Sequence, residues 1–262
     1  MARTKLAQLS RSVEGKVVII TGSASGIGRA CARVFSDEGA SIVVADLGVE
    51  RVAAVVDEIN EAGGSALGVV CDVSDVAQLH ELVDATLQRF GRIDVLVNNA
   101  GMGPLAGATT QESEFEAKWA QTFAVNVEAQ VRLIRYCLEH LLASGAGRVI
   151  NIASTEGIIA TAGGTPYTAS KHAVIGVTKS MAVELGRHGI TVNCVCPGPV
   201  RTGITADIPE ADKEIYAKRR VPLRRYADPE EIAQMVLSIA LPAASFMNGA
   251  VVVVDGGLTI RH

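Results

Sequence analysis

The chain has 262 residues, 48% of them hydrophobic and 20% charged, with 26 glycines and a formal net charge of −4. That is enough apolar chain for one large α/β domain or two small ones. The charge balance lacks the basic footprint of a nucleic-acid binder, and no apolar run approaches the roughly 18 residues of a membrane span.

Residues 1–14 are polar, without the apolar core of a secretory signal, and read as a flexible arm ahead of a single domain over 15–262. Short β-rich runs then follow at 16–21, 41–46, 66–71, 93–98, 148–152, 191–195 and 251–254. Helical patterns fill the gaps at 27–38, 50–62, 76–90, 112–142, 167–187 and 229–239. This alternation is the βαβ signature of a parallel sheet, and continuously apolar runs suit strands covered on both faces. Asp75 and Asp228 stand where helix caps belong, with Pro229 at the first helical position. Gly39, Gly63 and Gly91 follow helix ends. The expected fold is α/β: a single doubly wound (Rossmann) domain with a seven-stranded parallel sheet and helices on both faces. The pattern loosens over 199–226, an expected partly helical substrate flap.

The first strand runs straight into Thr21-Gly22-Ser23-Ala24-Ser25-Gly26-Ile27-Gly28 and then a helix. Glycines there allow a tight turn and close approach to pyrophosphate, and the helix start offers unpaired N–H groups. Asp46 ends the second strand, placed to accept hydrogen bonds from ribose hydroxyls and to repel a 2′-phosphate. No Arg or Lys occupies the next few positions, which favours NAD over NADP. Asp72 and Val73 end the third strand, suited to an adenine ring. Asn98-Asn99-Ala100-Gly101 ends the fourth, small enough to pass close to a ribose. Tyr167 and Lys171 lie four residues apart on one helical face, and Ser154 precedes Tyr167 by thirteen. A cation one turn away favours the tyrosinate and lowers its pKa, which suits a proton-transfer role.

Together these residues resemble the short-chain dehydrogenase/reductase family, from about residue 16 to residue 258. The motifs run in the family's order: Thr21–Gly28, Asn98–Gly101, Asn126 with Ser154, Tyr167 with Lys171, Pro197-Gly198, and Asp255-Gly256-Gly257 near the end. The resemblance implies Tyr167 as general acid/base and Lys171 lowering its pKa while bonding the nicotinamide ribose. It implies Ser154 orienting the substrate oxygen and Asn126 fixing a water that links Lys171 to solvent. Pro197, Gly198, Val200 and Thr202 would frame the nicotinamide, with Thr202 on the carboxamide or a phosphate. Dimers or tetramers are common in the family, with the long helix and the helix carrying Tyr167 in the seams; Trp119 and Phe123, four apart on the long helix, read as seam or as core residues.

Glu156 departs from the family's usual small or apolar residue and reads as a substrate contact, a solvated carboxylate or an arginine partner. Met102, Leu105, Ile158, Ile159, Ile204, Ile208 and Tyr216 are candidates for an apolar substrate wall. Arg219, Arg220, Arg224 and Arg225 read as a solvated face or subunit contact. The five cysteines (31, 71, 137, 194 and 196) are odd in number and scattered, as free thiols of a reducing compartment such as the cytoplasm. The histidines show no metal-ligand spacing. The expected activity is NAD-dependent interconversion of a secondary alcohol and a ketone. The alternatives are an NADPH-dependent 3-oxoacyl-thioester reductase and a dinucleotide-binding scaffold without turnover. A steroid, polyol, aromatic carbinol or cyclic diol would each suit the leading reading.

Overall fold

The computed structural model describes residues 8–261. Its strands are β1 (Val17–Thr21), β2 (Ser41–Asp46), β3 (Ser65–Val70), β4 (Val95–Asn98), β5 (Arg148–Ile152), β6 (Thr191–Pro197) and β7 (Val251–Val254). The helices are α1 (Gly26–Asp37), α2 (Val49–Glu61), α3 (Val76–Phe90), α4 (Glu112–Phe123), α5 (Ala129–Ala143), α6 (Thr165–Leu185), α7 (Glu210–Arg220) and α8 (Pro229–Ala240). All seven strands pair in parallel, in the order β3-β2-β1-β4-β5-β6-β7. The order reverses direction between β1 and β4, so a crevice opens at their carboxyl ends, where open α/β sheets bind ligands.

Two apolar layers explain why the sheet stays closed. Ile20, Val44 and Val97 meet Phe35, Val55 and Val236 from α1, α2 and α8 on one face. Ile19, Leu96 and Val149 meet Leu82, Leu133 and Leu185 from α3, α5 and α6 on the other. Strands buried on both faces have no polar alternation to show. The expected caps form: Asp75 accepts from Ala77 N and Gln78 N, and Asp228 closes a capping box with Glu231. Cys194 and Cys196 pack together with Val174.

Two expectations need correction. The pattern over 112–142 is helical throughout but not regular: a π-helical turn at Ala124–Glu128 lies between α4 and α5. Of the expected arm, residues 1–7 lie outside the described residues, but Val13 is buried and the Ser10 carbonyl accepts from Ala243 N at 2.9 Å. The part nearest β1 is therefore docked on the domain. The segment 199–226 contains α7 and a short 3₁₀ turn at Gly203–Thr205.

Candidate active site

An open cleft of about 900 Å³ runs along the carboxyl edge of the sheet, from Asp46 past Gly22 and Gly101 to Ser154, Tyr167 and the flap. At its glycine end, Gly22 and Gly26 adopt left-handed φ of 65° and 53°. A Cβ on Gly22 would come within 2.9 Å of Ala100 Cα. One on Gly28 would meet Gly22 O at 2.2 Å, so Gly28 serves helix packing and does not line the cleft. Ser25 starts α1 in extended conformation with no side-chain cap, leaving the dipole end and first-turn N–H groups for an anion. Thr21 Oγ1 accepts from Asn99 N and Ala100 N, both at 3.0 Å. Asn99 Nδ2 donates back to Thr21 O and Gly22 O. Asn99 is thus a strut for the turn.

The Asp46 carboxylate accepts from Ala24 N at 3.0 Å and Leu47 N at 2.8 Å. Arg51, five residues on, reaches it at 3.4 Å. The glycine at position 48 makes this possible: a Cβ there would lie 2.7 Å from Arg51 Nε. Asp46 is therefore less isolated from cations than sequence separation suggests. Asp72 accepts from the backbone and hydroxyl of Ser74, and Val73 lines the cleft beside it.

At the other end, Tyr167 projects from the first turn of α6 and Ser154 caps the short turn after β5, both lining the cleft. Burial pushes the phenol's pKa above its ordinary value, opposed by the Ser154 hydroxyl and reinforced by the Glu156 carboxylate. Lys171 lies one turn along with Nζ 5.5 Å from the Tyr167 ring centroid, donating to Ile152 O at 2.9 Å. Burial drives its ammonium down to about 8. The expected lowering of the phenol by its cation is thus corrected: burial raises the phenol and lowers the ammonium, in each case disfavouring the charged form.

Asn126 is buried within the π-helical turn. Its Oδ1 accepts from Met102 N, and its Nδ2 donates to Met102 O, both at 2.9 Å, and to Ser170 Oγ at 3.0 Å. A π-turn re-aims a side chain off the regular helical stripe, and here it clasps the loop after β4. The amide expected to fix a water is engaged with protein atoms, although a Cβ at Gly101 would sit 3.4 Å from its Oδ1 and 3.6 Å from Lys171 Nζ. Glu156 neither pairs with an arginine nor points free: Thr161 N, Thr161 Oγ1 and Thr168 Oγ1 all donate to it.

A family model described as enoyl-(acyl carrier protein) reductase matches residues 22–259. The chain is 40% identical over 248 residues to the (2S)-[(R)-hydroxy(phenyl)methyl]succinyl-CoA dehydrogenase subunit BbsD of Thauera aromatica, covering 95% of this chain and 98% of the relative. It is 38% identical to the 3-oxoacyl-[acyl-carrier-protein] reductase FabG of Thermotoga maritima, covering 95% and 99%. Among solved structures, L-sorbose reductase of Gluconobacter frateurii with NADPH and L-sorbose superposes with a TM-score of 0.90 at 31% identity, covering 96% and 99%. A 7α-hydroxysteroid dehydrogenase complexed with NADH and 7-oxo glycochenodeoxycholic acid does so at 0.90 and 32%, covering 94% and 95%. The chain belongs to the short-chain dehydrogenase/reductase family. It is an NAD(P)-dependent oxidoreductase of the alcohol dehydrogenase/ketoreductase type.

In this short-chain dehydrogenase/reductase the cleft gathers Ser25, Gly26, Ile27, Ala100, Gly101, Pro197, Gly198, Val200 and Thr202 along one wall. The Thr202 methyl packs where a Cβ on Gly26 would lie, 3.2 Å away, so the flap begins over the glycine turn. Met102, Ile204, Ile208 and Tyr216 line the substrate end, whereas Leu105 is 74% exposed and does not line it. Gln121, Val125, Asp212 and Tyr226 also line the cleft and were not singled out from sequence. Gln121 and Val125 are four apart and close to Asn126, a spacing that could have found them. Nothing local marks Asp212 or Tyr226, which the flap brings in. Among the described residues no helix is long and apolar enough to cross a membrane.

Proposed function

We propose that the protein interconverts a secondary alcohol and a ketone with NAD as its dinucleotide, using Tyr167 as general acid/base. The observation that carries this reading is the gathering of Ser154, Tyr167 and Lys171 at one end of a cleft whose other end is a glycine turn and the Asp46 carboxylate. The residues fit a nicotinamide dinucleotide: left-handed glycines, an uncapped helix start for pyrophosphate, and Asp46 for ribose hydroxyls. When bound, that group supplies the hydride acceptor for alcohol oxidation or the donor for ketone reduction.

The chain's own part is proton management. Ser154 holds the substrate oxygen against the phenol, and Tyr167 as phenolate takes the hydroxyl proton during oxidation, returning it in reduction. Lys171, buried beside the ring, stabilises the phenolate as charge develops. Asn126 holds the Met102 main chain at the mouth of the site, and 199–226 covers the substrate. Met102 and Ile204 offer it apolar contact. A homodimer or homotetramer suits the half-buried stack of Phe115, Trp119 and Phe123 on α4. Five buried free thiols suit the cytoplasm.

The second reading, an NADPH-dependent 3-oxoacyl-thioester reductase, is favoured by one observation, the approach of Arg51 to Asp46. The deciding assay follows reduced-nicotinamide absorbance with panels of secondary alcohols and ketones, each offered NAD(H) and NADP(H). A preference for NADPH of more than about tenfold, ~1.4 kcal/mol, together with turnover of a 3-oxoacyl thioester, would displace the first reading.

A further inference from the structure

Glu156 follows Ser154 by two residues and lines the same cleft, and its hydrogen bonds run in two directions. Its backbone N–H donates to Ser154 Oγ at 3.1 Å. Its side chain accepts from Thr168 Oγ1 at 2.6 Å, on the residue after Tyr167, and from Thr161 Oγ1 at 2.6 Å and Thr161 N at 3.0 Å. The next residue leaves no slack: a Cβ on Gly157 would lie 2.8 Å from Lys171 O and from Ile175 Cδ1. One residue therefore spans from the serine just after β5 to the helical turn that presents the tyrosine.

We infer that Glu156 is a positioning residue whose carboxylate ties the loop after Ser154 to the first turn of α6, fixing the two reacting hydroxyls against each other while holding a negative charge beside the phenol. The inference rests on the alcohol–ketone reading for its catalytic consequence, though not for its geometry. Charge-assisted bonds from two threonine hydroxyls are short and strong, and loss of fixed orientation at a reacting centre is costly. The groups around the phenol are few. Ser154 lies beside it, Lys171 lies beneath its ring, and Cys196 on β6 is near Ser154 and Lys171. Gly103 packs on the ring without charge. From α7, Tyr216 and Asp212 line the same cleft, and Arg220 acts on Tyr216 from outside it. His172 is exposed and turned back to Thr168 O. Glu156 is the carboxylate that raises the pKa of both Tyr167 and Tyr216, so its charge reaches across the substrate end.

The charge and the clasp separate in three variants. Ring-labelled tyrosine NMR on the ligand-free protein, with Tyr167→Phe to assign the signal, reads the phenol's titration without requiring turnover. Glu156→Gln keeps the shape and removes the charge: the Tyr167 signal titrates at lower pH than in wild type, and the alkaline rise of kcat in alcohol oxidation moves the same way. Glu156→Ala shifts the titration likewise and in addition lowers kcat by on the order of ten- to a hundredfold with less change in KM. Glu156→Asp keeps the charge and shortens the clasp, so the titration stays and kcat falls. A Tyr167 titration unmoved in both Glu156→Gln and Glu156→Ala, or a wild-type kcat in Glu156→Ala, overturns the inference; if Glu156→Ala does not fold, the Glu156→Gln titration decides. A shifted titration in a protein that turns over no alcohol or ketone sinks the activity and leaves the positioning role standing.

Discussion

Replacing Tyr167 by Phe removes one oxygen from the cleft and leaves the ring that packs on Gly103. We expect Tyr167→Phe to fold and to bind NAD with wild-type affinity while losing most of its turnover, since no other hydroxyl at that position can exchange the proton. Calorimetric NAD binding beside steady-state rates checks this; near-wild-type kcat would refute the general acid/base assignment. Asp46 offers a second test on a single carboxylate. Asp46→Ala removes the repulsion toward a 2′-phosphate and frees Arg51, now 3.4 Å away, to face it. The ratio of kcat/KM for NAD over NADP should fall by at least about tenfold, ~1.4 kcal/mol, and an unchanged ratio would show that Asp46 does not set the choice. Tyr167, Lys171, Ser154 and Asp46 were legible because their chemistry is local: a spacing on one helix or a strand end after a glycine turn. The bonds of Glu156 were not, because Thr161 and Thr168 reach it through a loop whose path no spacing gives.

The elements show the same division. Helices and strands were readable from apolar periodicity, and all seven runs became strands of one sheet. The irregularity at Ala124–Glu128 was hidden because a π-turn inserts a single residue into an otherwise continuous helical pattern. That insertion brings Asn126 onto the Met102 main chain, joining the helix to the loop after β4. Asn126→Ala strands the half-buried Met102 N–H and C=O without their protein partners, a loss of about 1 kcal/mol, at the low end for unsatisfied groups. Chemical denaturation should show that loss. The rate should fall as well, because the freed loop carries Gly101 and Met102 at the edge of the cleft. Unchanged stability would mean the turn is held by packing alone. The flap was readable as a loss of pattern in which Ile204, Ile208 and Tyr216 stood out as wall candidates. Asp212 and Tyr226 reach the same cleft from places that only the folded path brings together.

At the scale of the molecule, a buried ammonium beside the phenol has a cost that the whole fold carries. Lys171 is 3% exposed and its pKa is driven from 10.5 down to about 8 by burial. The folded pKa lies below the unfolded one, so between about pH 8 and 10.5 the unfolded chain holds the extra proton. Stability from this group therefore rises with pH across that window. Below it the charged, desolvated lysine penalises the native state in full; above it the penalty is gone. The span corresponds to a penalty on the order of 3 kcal/mol. Lys171→Met keeps the apolar stem and removes the titration, at the expense of the bond to Ile152 O. Urea unfolding of both proteins at neutral pH and near pH 10.5, each in a Tyr167→Phe background, isolates the term, because the adjacent phenol is then gone and groups away from Lys171 titrate alike in the two. The advantage of Lys171→Met over its Lys171 parent should be greatest at neutral pH and should shrink by that amount at the alkaline end. Parallel stability curves would mean that the ammonium is solvated in the native protein, and with it would go the claim that this fold keeps a reactive cation in a dry site.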